Sequence, residues 1–267
     1  MNKEFAWFLG MLLSDGSITR PKYRNKGDES HIQFCIKNTD KEVLYKIKNI
    51  LNTRATIHEY PNYKSPQAKL RIYDRKDIIS EYGDIKTKVP DSIKGFERHF
   101  LRGICDGDGC IYVRKNRHGS VTIQIINECK DIIDWVYNIV EEKLGIEKKE
   151  SRYIEKDHIY EFRFEGRVAR MIIWWMYHGD IEHCSLNRKR NKYKNEILSE
   201  EINDYDLEII DAVKASIVDD NIIPNVSANL TLKWCHIIQK QLKMKTTPVF
   251  HNKGKTKYYM LHINKNQ

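Results

Sequence analysis

Two aspartates 93 positions apart close the same kind of stretch. Asp15 ends the apolar run in WFLGMLLSDGSIT, residues 7–19, and Asp108 ends the one in HFLRGICDGDGCIYV, residues 99–113. In each, a Gly lies five residues before the Asp, and an Asp-Gly pair is followed by one residue and then Ile. A carboxylate in the last turn of a helix faces the negative end of the helix dipole. One such group is a mild defect, but two brought side by side repel unless something positive lies between them. Carboxylate and last-turn carbonyl oxygens are the hard donors that Mg²⁺ takes, with water completing its shell. The spacing therefore points to two acids that jointly hold divalent cations.

The elements that must position these acids are two short helices, predicted over Glu4–Ser14 and Arg98–Gly107. Gly10 and Ser14 are four apart, as are Gly103 and Gly107, which leaves one face of each helix nearly bare and lets two backbones approach closely. Trp7, Phe8, Met11, Leu12, Phe100, Leu101 and Ile104 would bury on the flanks of that contact. Gly16 and Gly109 are expected in the left-handed conformation that stops a helix.

The order of elements after each helix also repeats. SITRPKYR and SHIQFCIKN alternate as strands, TDKEVLYKIKNILN reads as a helix capped by Thr39 or Asp40, RATIHEY and AKLRIYD are a second strand pair, and RKDIISEYG is a short helix. In the second half CIYVRKN, SVTIQIIN, the helix ECKDIIDWVYNIVEEKLG stopping at Gly145, KESRYIEK, HIYEFRFEG and the helix RVARMIIWWMY recur in that order. The segment DIKTKVPDSIKGFE, with Pro90 and Gly95, joins them. The expected fold is α+β: two pseudo-symmetric α-β-β-α-β-β-α halves, residues 1–95 and 96–198, each with a curved, saddle-shaped antiparallel sheet covered by helices on one face. Strand alternation puts Ser17 and Thr19, Gln33, Cys35 and Lys37, Lys69, Arg71 and Tyr73, Tyr112 and Arg114, and Thr122 and Gln124 on the open faces. Such long polar side chains suit base edges and phosphates.

The formal net charge is +9, and its distribution is uneven. LNRKRNKYK, residues 186–194, holds five basic groups and no acid, and from Asn221 to Gln267 there are eight Lys and no Asp or Glu. A basic excess interleaved with Tyr, Trp and His suits nucleic acid. The six cysteines include no C-x-x-C pair and read as free thiols of a reducing, intracellular compartment, with no structural zinc and no disulfide framework. No signal peptide or membrane span is predicted. In residues 199–267, 203–220 and 227–243 read as helices, and a basic hairpin turns at Asn252–Gly254. That order is expected to form a small α/β extension, a winged-helix-like DNA-binding module.

FLGMLLSDG and LRGICDGDG resemble the LAGLIDADG motif, and the chain resembles a single-chain, two-motif LAGLIDADG homing endonuclease over roughly residues 3–195. The resemblance implies metal binding by Asp15 and Asp108, at the eighth motif position, and by the carbonyls of Ser14 and Gly107 at the seventh. Asp106 keeps the acid common at the sixth position and Leu13 does not, which implies chemically unequal halves. Asn38 and Asn127, just after the second strand of each half, would order water near the scissile phosphate. Lys86 or Lys88, and Arg188 or Lys189, would supply a basic group near each phosphate. The implied activity is Mg²⁺-dependent hydrolysis of both strands of a long asymmetric double-stranded DNA site by a monomer, as in intron homing. Two other readings use the same scaffold: an RNA-binding maturase, whose partner is host intron RNA, and a non-catalytic DNA-binding regulator.

Overall fold

The structure, a computed structural model, describes residues 1–20, 29–114, 120–144, 146, 148–177, 181–193, 221–222, 239, 245–253 and 256–264. The first motif forms α1 (Lys3–Leu13), opened by Asn2, whose Oδ1 accepts from the Phe5 amide at 2.8 Å. Every residue from Ala6 to Leu13 is buried, so this helix is apolar all round and runs through the core. The second motif forms α4 (Glu97–Asp108), which packs along α1.

After α1 come β1 (Gly16–Thr19), β2 (His31–Lys37), α2 (Glu42–Leu51), β3 (Ile57–Tyr60), β4 (Gln67–Ile72) and α3 (Lys76–Glu81). After α4 come β5 (Gly109–Arg114), β6 (Ser120–Asn127), α5 (Lys130–Leu144), β7 (Arg152–Ile154), β8 (Ile159–Glu165) and α6 (Gly166–Tyr177). The two four-stranded antiparallel sheets have equivalent orders, β1-β2-β4-β3 and β5-β6-β8-β7. Alternation sets their faces: Ile32, Phe34 and Ile36 of β2, and Val121, Ile123 and Ile125 of β6, point into one core that spans both halves. The fold is α+β and pseudo-symmetric.

Beyond α7 (Asn187–Lys192), β9 (Asn221–Ile222), β10 (Lys245–Lys253) and β11 (Thr256–Asn264) form a third sheet, with β10 and β11 as an antiparallel hairpin. The helices expected over 203–220 and 227–243, apart from Gln239, and the stop at Gly145 lie outside the described residues. No helix among the described residues is long and apolar enough to cross a membrane. Cys35, Cys105, Cys110, Cys129 and Cys184 are free thiols.

Three local expectations are corrected. Helix α2 is not capped by Thr39 or Asp40: a 3₁₀ turn over Asn38–Asp40 leads into it, and no side chain caps it. α4 runs one residue past Gly107, to Asp108. Gly16 and Gly109 are not left-handed; Gly109 has φ −83° and ψ 153°, and both start strands. They are glycines because the chain leaves each helix too tightly for a side chain. A Cβ on Gly16 would stand 2.8 Å from Leu12 Cα, and one on Gly109 would stand 2.4 Å from the Cys105 carbonyl oxygen.

Candidate metal centre and nucleic-acid interface

The site starts from the contact of α1 with α4. A Cβ on Gly10 would lie 2.1 Å from the Phe100 carbonyl oxygen and 2.8 Å from Gly103 Cα; one on Gly103 would lie 2.2 Å from the Trp7 carbonyl oxygen. The backbones therefore touch, and the two helix ends arrive together. Ser14 Oγ donates to the Gly10 carbonyl at 3.0 Å and reaches the Gly103 carbonyl across the seam at 3.5 Å. A Cβ on Gly107 would stand 2.1 Å from Ser14 Oγ and 3.3 Å from the carboxyl carbon of Asp15. Asp15 thus lies against the turn that carries Asp108.

The electrostatics follow from that crowding. Loss of water around Asp108 and the neighbouring Asp15 charge push its carboxyl up to about 6, against the pull of Lys86 and Lys189. Asp15 is also raised, first by loss of water, with Lys189 and Lys86 opposing. In the metal-free protein, folded Asp108 therefore holds a proton between about pH 4 and 6 that the unfolded chain has released. Stability from this group rises as pH falls through that window, and above about pH 6 its ionised form is a cost. Asp108→Asn is accordingly expected to raise the melting temperature in chelator at about pH 7.5 and to have little effect at about pH 4. Paired thermal melts check the sign.

Two lysines cap the helix ends. Lys86 Nζ donates to the carbonyls of Leu13 at 2.5 Å and Ser14 at 2.8 Å. Lys189 Nζ, buried, donates to the carbonyls of Cys105, of Asp106 at 2.8 Å and of Gly109 at 2.6 Å. These carbonyls are the ones a helix leaves unpaired at its C-terminus. The other two basic candidates do not cap the helix ends. Arg188 pairs with Asp40 at 3.1 Å and acts on Asp15 through its charge, after Lys189 and Lys86, and the Lys88 residue is exposed with no contact to the helix ends among those described. Of the four candidates, the fold sets Lys86 and Lys189 on the two helix ends, where both act on Asp15 and Asp108.

Each basic segment also touches the opposite half. Arg188 reaches Asp40, and Lys46 of α2 donates to the Ser185 carbonyl at 2.5 Å and to Asn187 at 2.8 Å. The Cys129 thiol lies 3.6 Å from the Thr87 carbonyl. The two asparagines differ. Asn127 Oδ1 accepts from the Cys129 amide at 2.8 Å, which turns the chain into α5. Asn38 Oδ1 is buried with no partner among the described residues.

The sixth motif position is a matter of packing. Asp106 is 2 % exposed and points into the core, where it accepts from Trp7 Nε1 at 2.8 Å, Tyr177 Oη at 2.6 Å and the Leu186 amide at 2.9 Å. It ties α1, α4 and α6 to the residue just before the helix that carries Lys189. Leu13, its counterpart, is simply buried. The inequality between the halves at this position therefore lies in the core and not among the oxygens of Asp15 and Asp108. Asp106→Leu would leave three buried donors unpaired and is expected to lower stability by about 3 kcal/mol or more, measured by urea denaturation.

Sequence reasoning missed two other groups. Arg102, fully buried, donates to the carbonyls of Cys184 and Met176, both at 2.8 Å, and holds the same segment against α4. Glu161, 3 % exposed, gathers side chains on the second sheet. Both partnerships join residues far apart in the chain, so no local pattern announces them.

On the open sheet faces, Ser17 lies opposite Gln33, and Gln33 opposite Arg71, whose Nε donates to the Gln33 Oε1 at 2.8 Å. Thr19, Lys37 and Tyr73 are exposed, and Lys69 Nζ stands 5.7 Å from the centre of the Tyr60 ring. Tyr112 lies opposite Thr122, and Gln124 donates to Glu161. The Arg114 side chain lies outside the described residues. Thr122 corrects the expectation: it has the open-face parity but is fully buried, with its hydroxyl unpaired among the described residues, so it is not available to a partner. Among the described residues no three His, Cys, Asp or Glu side chains cluster as a ready metal cage.

Comparisons with known proteins bear on the fold that carries this site. The LAGLIDADG-like domain family matches residues 95–173. No curated protein matches the sequence. Among solved structures, the I-LtrWI LAGLIDADG homing endonuclease bound to target DNA is similar with a TM-score of 0.50 at 14 % identity, covering 90 % of this chain and 98 % of that one. The meganuclease I-SmaMI bound to uncleavable DNA with a TTGT central four is similar with a TM-score of 0.50 at 11 % identity, covering 80 % and 95 %. At such identity the likeness is one of fold, and the fold matches nearly the whole length of both. Residues 95–173 match the LAGLIDADG-like domain family, and the chain as a whole has the pseudo-symmetric, two-motif fold seen in LAGLIDADG homing endonucleases.

Proposed function

We propose that the chain is a site-specific double-strand DNA endonuclease that works with divalent cations held by Asp15 and Asp108. The observation that carries this reading is the meeting of those two carboxylates at a glycine seam between two alike halves. The donor set fits a hard cation: oxygen ligands only, with both carboxyls pushed toward protonation by lost water, and Asp108 by its like-charged neighbour as well. The Gly107 and Ser14 carbonyls would complete the set; Ser14 O already accepts from Lys86 and, having two lone pairs, could still face a cation. Mg²⁺ bound there would polarise a phosphodiester and acidify an attacking water.

The chain's own residues do the rest. Lys86 and Lys189 keep positive charge beside the acids and favour a phosphate approaching them. Asn38, with a free acceptor, is suited to orient a water, whereas Asn127 is engaged in the turn before α5. The open sheet faces hold the duplex, and the two halves address one strand each. The fold shared with nucleases solved on DNA supports the same partner, and residues 221–267, with eight Lys and no Asp or Glu, extend the grip. Incubating the protein with Mg²⁺ and a duplex pool randomised over roughly two helical turns tests the reading. Cut ends that converge on one sequence, with both strands broken, are expected. An uncut pool overturns it.

A further inference from the structure

The open faces of the two sheets differ in charge although their strand orders match. On the first sheet, the register sets Gln33 beside Arg71, Cys35 beside Lys69 and Lys37 beside Gln67, so that parity carries three cations and no carboxylate. Arg71 is held by a neutral glutamine and Lys69 lies over a ring, so neither charge is spent on a carboxylate. On the second sheet the matching parity carries Glu161 and Glu165 among its arginines. Glu161 accepts from Gln124 Nε2 at 2.6 Å and draws in Arg152 at 3.6 Å and Arg163 at 3.8 Å; Arg163 also donates to Glu165 at 2.6 Å. The segments 21–28 and 115–119, which come after the first strand of each half in sequence, have the same net charge, two positive, so the difference lies in the strands.

These two faces suit different tasks. Uncompensated cations bind phosphates without regard to sequence, and their contribution falls steeply with salt. Arginines already in ion pairs release few counterions, but a network that locks their geometry favours base-edge contacts. Gln124, with Nε2 on Glu161, keeps Oε1 to accept from an exocyclic amino group, and Arg163 has the fork that matches guanine. We propose that the halves divide the binding of DNA: the first sheet grips phosphates, and the second reads bases, with Glu161 as the positioning residue that sets Gln124 and Arg163. This rests on the DNA-binding reading above.

Salt titration of binding to a mixed-sequence 40-bp duplex, with the full chain in chelator, separates the tasks. Lys69→Ala with Arg71→Ala is expected to reduce the slope of log affinity against log salt by about 2. Arg163→Ala with Glu165→Ala, which deletes a neutral pair, is expected to change it by less than about 0.5. Equal losses from both doubles overturn the division. Glu161→Gln, which preserves shape, is expected to relax the sequence selected from a randomised pool in one half-site only; unchanged or evenly relaxed selection overturns the positioning role. A wild-type protein that binds no duplex even at low salt removes the DNA reading itself.

Discussion

Asp15→Asn and Asp108→Asn, singly or together, are expected to lower double-strand cleavage by about a thousandfold and to leave duplex binding intact. Asparagine keeps the shape of the carboxyl and loses its charge, so the helix seam need not move. What disappears is the anionic oxygen that, in the proposed function, would hold a divalent cation against a phosphate, and losing one electrostatic contact to a transition state commonly costs about 10²–10³ in rate. Each acid lies beside the other and between the same two lysines, so neither can compensate for its partner. In chelator, binding is expected to tighten slightly, because negative charge has been removed from where a phosphate must approach. Single-turnover cleavage and gel-shift titration on the selected site measure both. Near-normal cleavage by either single variant would show that the acids do not hold the catalytic ion.

Gly10→Ala and Gly103→Ala are expected to be severely destabilising, by about 3 kcal/mol or more each. The atoms a new Cβ would meet are backbone: the Phe100 carbonyl oxygen at 2.1 Å for Gly10 and the Trp7 carbonyl oxygen at 2.2 Å for Gly103. Backbone cannot swing aside as a side chain can, so the helices must part. For a chain of this size that corresponds to a melting temperature lower by roughly 6–12 °C. Parting the helices also separates Asp15 from Asp108, and misplacement of about 1 Å is enough to cost about 10²-fold in activity. Gly107→Ala is the informative contrast. Its Cβ would meet Ser14 Oγ at 2.1 Å, which can rotate, and Ser14 Cβ at 2.5 Å, which cannot, so the shift falls at the end of the seam beside Asp15 rather than along it, and activity should fall further than stability. Thermal melts set beside cleavage rates distinguish the two patterns.

The sequence by itself determined the repeat, the two Asp-Gly helix ends and the small residues that let those helices touch, because each is a pattern within a few turns of chain. It also determined the strands and their faces, since alternation in HIQFCIK and, Thr122 apart, in SVTIQIIN marks what is buried. Only the tertiary structure decided which basic residues reach the acids. Lys189 and Arg188 are neighbours in sequence, yet the local helix sends one to the α4 carbonyls and the other to Asp40 in the opposite half. Only the tertiary structure turned Asp106 inward to three donors, buried Thr122 on a face that parity marks as open, and set Glu161 among partners from three strands. The physical reason is the same in each case: a side chain's partners are fixed by contacts across many tens of residues, while periodicity reports only on which side of its own element it stands.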